Sequence, residues 1–421
     1  MIEKFSCKNF RNINVSGLEM RRINILVGPN NSGKTNFIRA ISFLSDMLLK
    51  KDIGGLKSAF LNAVKRNGWE HLRNNQADAS ETVDFSWDLI VGDESLDYKF
   101  SFLVGKKIED CQITLEEMNN RSQNPYRYPK PFNYFRCHNE RIGQGRVSTA
   151  VNVGRKNKRK GFQINSQETI MSQYHNILLQ EKAIYASDTA RVEIADLLSR
   201  IQKYFEGNQA YATSNFVLNK IRDMPEGRSV DYILNETADN FINVYSNRVA
   251  RNMEYASLFL TKMRELIPDL EYIDAPLLYD KLLFRMKFNN HSFDQTDVSD
   301  GTLKALILNL LINAPAEEKN SLLTIDEPET NLHPAWQKVI GQWILNSSSF
   351  DQCIISTHSP DFLDCFTESF RNNTVQILVF DSDEKECVRV LNYENIKDDL
   401  GEWELGDLYR TNDPALGGWP W

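Results

Sequence analysis

Cysteine is scarce. The chain of 421 residues holds six, at positions 7, 111, 137, 353, 365 and 387, and no two form a CxxC pair. A disulfide framework or structural zinc site is therefore not expected, and reduced thiols in a cytoplasmic protein are. Cys137 and His138 are adjacent, but no second ligand pair stands at zinc spacing. Long apolar runs are missing too. None approaches the roughly 18–20 residues of a membrane span, so no membrane association is expected. The first dozen residues, Met1 to Asn12, carry charges where a secretion signal would be apolar. Internal repeats and low-complexity linkers are also lacking, and no unbroken heptad series supports a long coiled coil.

The composition is otherwise that of a globular chain, with 41% hydrophobic and 25% charged residues. The net charge of -8 argues against general attraction to nucleic acid, but the charge is uneven. Between Arg121 and Lys160 basic residues crowd together, ending in Arg155, Lys156, Lys158, Arg159 and Lys160, and Glu140 is the one acid. Tyr126, Tyr128, Phe132, Tyr134 and Phe135 are interleaved with them. Such a stretch suits a phosphate backbone with base stacking. It equally suits a solvated loop or a dock for an acidic partner.

Periodicity gives strands over 2–27, a helix from Asn36 to Leu49, and an antiparallel meander over 82–118. A loop or ribbon follows over 121–160. The pattern is helical from about 190 to 270. An apolar helix over 303–313 precedes three buried strands separated by helices, an α/β rhythm with a largely parallel sheet. The expected organisation is an N-terminal lobe over 1–185, a helical insertion over 186–285 and a C-terminal lobe over 286–421.

Four motifs carry chemistry. Gly28, Pro29, Asn30, Asn31, Ser32, Gly33, Lys34 and Thr35 match GxxxxGK[ST] between a strand and a helix that opens at Asn36. Glycines let backbone N–H groups approach phosphates, Lys34 neutralises their charge, and the Thr35 hydroxyl suits magnesium. The alternative is a structural glycine turn. Leu322 to Asp326 is an apolar strand ending in Asp326 and Glu327. These suit a magnesium shell and the polarising of an attacking water; the bland reading is an acidic helix start. Ser299 and Gly301 lie at the start of the apolar helix, where Ser299 is a plausible cap and the helix N–H groups suit an anion. His358 ends another buried strand.

Together these motifs resemble the ABC-type ATPase heads of the SMC, RecF and OLD ATPases. The resemblance covers about 1–50 and 290–380 and implies an ABC-type P-loop NTPase head with ATP and Mg²⁺ as cofactors. It makes the segment Lys8 to Asn12 the family's N-terminal strand-turn, and Val298 to Thr302 the signature motif, with Asp300 where a glycine is usual. Residues 322–334 become the Walker B strand and D-loop, and His358 the switch histidine. It further implies catalytic roles for Lys34, Glu327 and His358. Nucleotide contacts fall to Asn30, Asn31, Ser32, Gly33, Lys34, Thr35, Asn36, Ser299 and Gly301. Metal contacts fall to Thr35, Asp326 and, as the Q-loop glutamine, Gln173. In that family two heads sandwich ATP, which implies a homodimer or higher homo-oligomer.

The short insertion and the tail from Glu404 to Gly418 are similar to stand-alone ATPases of bacterial anti-phage systems. That similarity implies a switch or sensor with a separate effector. The alternative is a DNA-repair or nuclease-associated ATPase of the RecF or OLD type. Asp381 and Asp383 superficially match a Toprim DxD, but only about 40 residues follow, fewer than a separate domain needs, and the pair also reads as a hairpin turn.

Overall fold

The computed structural model describes residues 1–48, 58–121, 132–137, 144–148, 159–163, 165–173, 196, 199–227, 229, 231–381 and 387–417. They fall into two compact units. One comprises Met1–Arg21, Asn30–Asn208 and Phe380–Arg389; the other comprises Arg22–Pro29, Gln209–Val379 and Val390–Trp421.

The first unit is built on an eight-stranded antiparallel sheet. Its spatial order is Ile13–Glu19, Ile2–Phe10, Val83–Val91, Glu94–Leu103, Gln112–Asn120, Phe132–Cys137, Gln144–Ser148 and Arg159–Gln163. Strict alternation produces it: from Val83 to Val91 every second side chain is buried. The inward residues are largely aromatic. Phe43, from the helix Lys34–Leu48, stacks on Phe85 and Phe102 with centroids 5.2 and 5.5 Å away. The meander therefore extends through the basic stretch as a ribbon of three further strands.

The second unit carries a six-stranded sheet in the order Asn208–Ala212, Asn320–Asp326, Phe350–Ser356, Ile23–Val27, Val375–Phe380 and Val388–Val390. The four central strands are mutually parallel. Within the stretch that reads as helical, Asn208–Ala212 is a strand. It joins the sheet beside Asn320–Asp326, and that pairing overrides the helical periodicity around it. The helices Phe241–Arg251 and Met253–Leu266 bear out the later part of that pattern, whereas 222–227 and 231–240 are turns and irregular chain. Asp300–Ile312 is buried nearly all round, from Leu303 through Ile312, as expected of a helix apolar on every side.

The parallel register sets the functional edge. Asp326 is level with Ser356, and Ser356 with Leu26. Three strands thus end together, and Gly28, Asp326 and His358 all follow from their carboxyl ends, where ligands bind in open α/β sheets.

Candidate ATPase site

The phosphate loop is shaped by a few residues with unusual backbone. Gly33 has φ of +113°, and a Cβ there would stand 2.7 Å from Asn12 Nδ2, so only glycine fits. Asn31 is left-handed at +64°, which asparagine tolerates. Gly33 O accepts the first helical bond, from Phe37 N at 2.8 Å, which leaves the N–H groups of the first turn directed outward. Lys34 opens the helix and is buried. Ser32 is 1% exposed and its Oγ has no partner among the described residues. A buried hydroxyl left so costs about 1–3 kcal/mol unless a ligand oxygen meets it. Glycine cradle, buried lysine and orphaned hydroxyl fit a polyphosphate.

The strand-turn at Arg11 and Asn12 supports this loop. Asn12 Nδ2 donates to Ser32 O at 3.3 Å, and Asn36 Nδ2 donates to Asn12 Oδ1 at 2.8 Å. Arg11 donates to Asn36 Oδ1 at 3.2 Å and to Asn67 O at 2.6 Å. Burial, then the neighbouring Arg39, lowers the Arg11 pKa from its ordinary value. A polar cavity of about 670 Å³ opens here, lined by Arg11, Asn12, Asn31, Asn36, His71 and Arg73 among others. Its size suits a small ligand. His71 and Arg73 carry no motif. Their segment is brought in by the bridge of Phe10 to Arg73 and by Arg11 N donating to Leu72 O at 2.7 Å.

The second unit assembles the acidic half. Asp326 Oδ1 accepts from Ser356 Oγ. Glu327 is left-handed, with φ of +50°, a strained conformation for a glutamate. Three bonds hold it: its N–H donates to Ser356 Oγ at 3.1 Å and to Ser356 O at 3.2 Å, and its C=O accepts from Thr213 Oγ1 at 2.6 Å. The turn swings the Glu327 carboxylate out, 42% exposed and 3.6 Å from His358 Nε2. Behind them Glu329 is buried. Its Oε1 accepts from Thr357 Oγ1 and from His358 N, both at 2.8 Å, while Oε2 has no partner among the described residues. Burial raises the Glu329 pKa, and repulsion from Glu327 adds to it.

The helix Asp300–Ile312 is keyed to the same loop. Ser299 caps it, its Oγ accepting from Thr302 N at 3.3 Å. A Cβ on Gly301 would lie 3.0 Å from Asn331 O, and Lys304 Nζ donates to Thr330 O at 3.1 Å. Burial lowers the Lys304 pKa against the pull of Asp300 and Glu327. Asp300 places a carboxylate where an anion would bind, but Arg222 answers it. Arg222 Nη2 donates to Asp300 Oδ1 at 2.6 Å and to Val298 O at 3.0 Å. Nothing in the motif pointed to Arg222, which lies 78 positions away.

The sequence-derived residues thus form two clusters. Asn31, Ser32, Gly33, Lys34 and Asn36 share the loop of one unit; Ser299, Gly301, Asp326, Glu327 and His358 gather in the other. Gln173 is engaged locally, its amide donating to the carbonyls of Glu168 and Thr169 at 2.9 and 3.2 Å. The stacking role of the basic stretch needs correction. Tyr134 and Phe135 are buried in the sheet and cannot receive bases. Arg121 and Arg136 sit in ion pairs with Asp88 and Glu117, at 2.6 and 3.6 Å. Tyr126, Tyr128, Arg155, Lys156 and Lys158 lie outside the described residues, as does Asp383. Asp381 N donates to Cys387 O at 3.2 Å. Among the described residues no helix is long and apolar enough to cross a membrane.

Comparison with known proteins agrees with this geometry. Endonuclease GajA of Bacillus cereus strain VD045 is 23% identical over 367 residues, which is 85% of this chain and 55% of GajA. The chain thus spans about half the length of that curated relative. The structure of an SMC head bound to the C-winged helix domain of ScpA matches with a TM-score of 0.50 and 12% identity, over 94% of this chain and 99% of that one. That likeness shows the fold alone, shared with that SMC head. The family model described as an AAA ATPase domain matches residues 1–363. The chain belongs to this AAA_15 family of ATPases.

Proposed function

We propose that the chain is an ATP-gated switch in which two copies close around ATP and hydrolysis reopens them. One observation carries this reading. The Ser299-capped helix presents an exposed N-terminus at Ser299 and Asp300, its acidic residue is balanced by Arg222, and its first turn is packed on the loop that bears Glu327. A helix start so prepared for an anion suits the γ-phosphate held by another copy.

In this reading Ser32, Lys34 and the first-turn N–H groups bind the polyphosphate. Thr35 and Asp326 would hold magnesium, which supplies charge neutralisation when bound. Gln173 remains a candidate ligand, though it would have to leave Glu168 and Thr169. Glu327 orients the attacking water and His358 donates Nε2–H to a γ-phosphate oxygen. The two lobes flanking an insertion over 186–285, and a cytoplasmic location, belong to the same reading.

The relation to GajA favours a place in anti-phage defence beside a separate effector. Because that relative is named an endonuclease, a nuclease-associated ATPase of the RecF or OLD type is the second reading. Nucleic acid is a candidate partner, resting on the cations from Arg155 to Lys160. Gel filtration of Glu327→Gln with ATP and magnesium tests the switch. The variant is expected to elute at twice the mass of its nucleotide-free form, and an unchanged elution would refute closure around ATP.

A further inference from the structure

The segment Leu405–Arg410 has no role in the site drawn above, yet it is docked against the turn that carries His358. Pro360–Asp364 begins two residues after His358, and its cap Ser359 accepts from Phe362 N at 3.3 Å. Leu405–Arg410 packs on it with no room to spare. A Cβ on Gly406 would fall 2.3 Å from Pro360 O, and Gly406 N donates to Asp364 Oδ1 at 2.7 Å. Arg410 spans Asp361 and Asp364, at 2.6 and 3.1 Å, and also meets Asp407 at 2.9 Å. Leu405 N adds a bond to Thr367 Oγ1 at 3.0 Å. These polar anchors fix a residue of the helix that faces His358.

That residue is Tyr409. Its hydroxyl lies 3.5 Å from His358 Nδ1, while the opposite ring nitrogen lies 3.6 Å from Glu327 Oε1. A neutral imidazole with its hydrogen on Nε2 has Nδ1 as acceptor, and Tyr409 O–H can then donate to it. In that tautomer Nε2–H lies on the Glu327 side, at 3.6 Å too far for a hydrogen bond to that carboxylate. Burial, with Glu329 nearby, raises the Tyr409 pKa and so keeps its proton on the oxygen.

We propose that Tyr409 is a positioning residue of the hydrolytic site, holding His358 in the tautomer and ring orientation that presents Nε2–H. The proposal rests on the reading that His358 serves hydrolysis. It makes the C-terminal helix a part of the ATPase machinery, joined to it through one hydroxyl. Losing that hydroxyl removes the Tyr409 contact at Nδ1 and with it a constraint on the ring and its tautomer. ATP binding, which relies on the phosphate loop, is untouched.

The test is steady-state ATP turnover by the full chain for four proteins: wild type, Tyr409→Phe, His358→Ala and the double variant. Phenylalanine keeps the ring and removes only the oxygen. Tyr409→Phe is expected to lower kcat about tenfold, the scale on which partners that orient a functional imidazole act, with KM unchanged. In the His358→Ala background the same change is expected to have no effect. Imidazole ¹⁵N shifts of His358 are expected to move away from the Nε2–H pattern in Tyr409→Phe. A wild-type kcat in Tyr409→Phe overturns the proposal. So does an equal loss in both backgrounds, which would mean that Tyr409 acts without His358. If His358→Ala itself turns over like wild type, the hydrolytic reading of His358 falls, a result distinct from either of these.

Discussion

The phosphate loop takes its form from consecutive residues, Gly28 to Thr35, braced by one strand-turn at Arg11 and Asn12. The acidic loop of the other unit has no such economy. Glu327 is held by Thr213 and Ser356, His358 by Glu329, and the loop between them by Gly301 and Lys304. Both loops use left-handed backbone, but the first puts it only on glycine and asparagine, whereas the second adds Glu327 to Asn331. Left-handed backbone at a residue with a full side chain costs on the order of 1 kcal/mol, and it persists because the surroundings impose it. On the proposed reading, binding rests on a local motif and hydrolysis on a distributed one, so damage should separate the two.

The sharpest break comes at Lys34. Lys34→Ala should abolish ATP binding in the micromolar range and lower turnover by ~10²-fold or more, since a positioned charge on the phosphates is lost. Titration with a fluorescent ATP analogue and a phosphate-release assay check this, with an unaltered melting temperature as the control for folding. Glu327→Gln should lower turnover by ~10²-fold, the general-base scale, while binding ATP as well as wild type. Equal loss of binding and turnover would erase the contrast between the loops.

Glu329→Ala addresses the support behind His358. It strips the acceptor from Thr357 Oγ1 and His358 N, and a buried donor left unpaired costs about 1–3 kcal/mol. Because this loosens the backbone that carries His358, turnover should fall about tenfold, the scale on which partners that orient a functional imidazole act, with ATP affinity retained. Glu329→Gln gives a finer reading through pH. The folded pKa is raised above 4.5 by burial, so stability from this group is full below pH 4.5. It is lost as pH rises through the folded value. The melting temperature of Glu329→Gln should therefore depend less on pH above 4.5 than that of wild type. The smallest effect is expected from Asn12→Ala, which removes two bonds of the brace. About 1 kcal/mol lost there is a few-fold weaker ATP affinity with kcat unchanged.

The same contrast explains what the sequence disclosed. Strand, glycine loop, lysine and helix are contiguous, so the phosphate loop was legible whole, and the left-handed Asn31 and Gly33 agree with it. The alternation from Val83 to Val91 gave the antiparallel sheet because one of its faces is packed with aromatics. Asp326, Glu327 and His358 were legible because each ends a buried strand. Their partners were not. Thr213, Arg222, Lys304 and Tyr409 come from segments whose own patterns describe ordinary helices or turns, and only the tertiary fold brings them in. The strand Asn208–Ala212 was hidden for the same reason: its single ladder to the sheet edge outweighs local propensity.

In the proposed switch, the exposed helix start at Ser299 completes the phosphate loop of another copy. Mixing two variants tests it directly. Ser299→Arg should retain ATP binding and lose turnover, and Lys34→Ala should lose both. Combined with subunit exchange verified by differently tagged chains, they should recover part of the wild-type rate, because a mixed pair keeps one intact composite site. No recovery at any ratio, with mixed pairs demonstrably present, would contradict a site shared between copies.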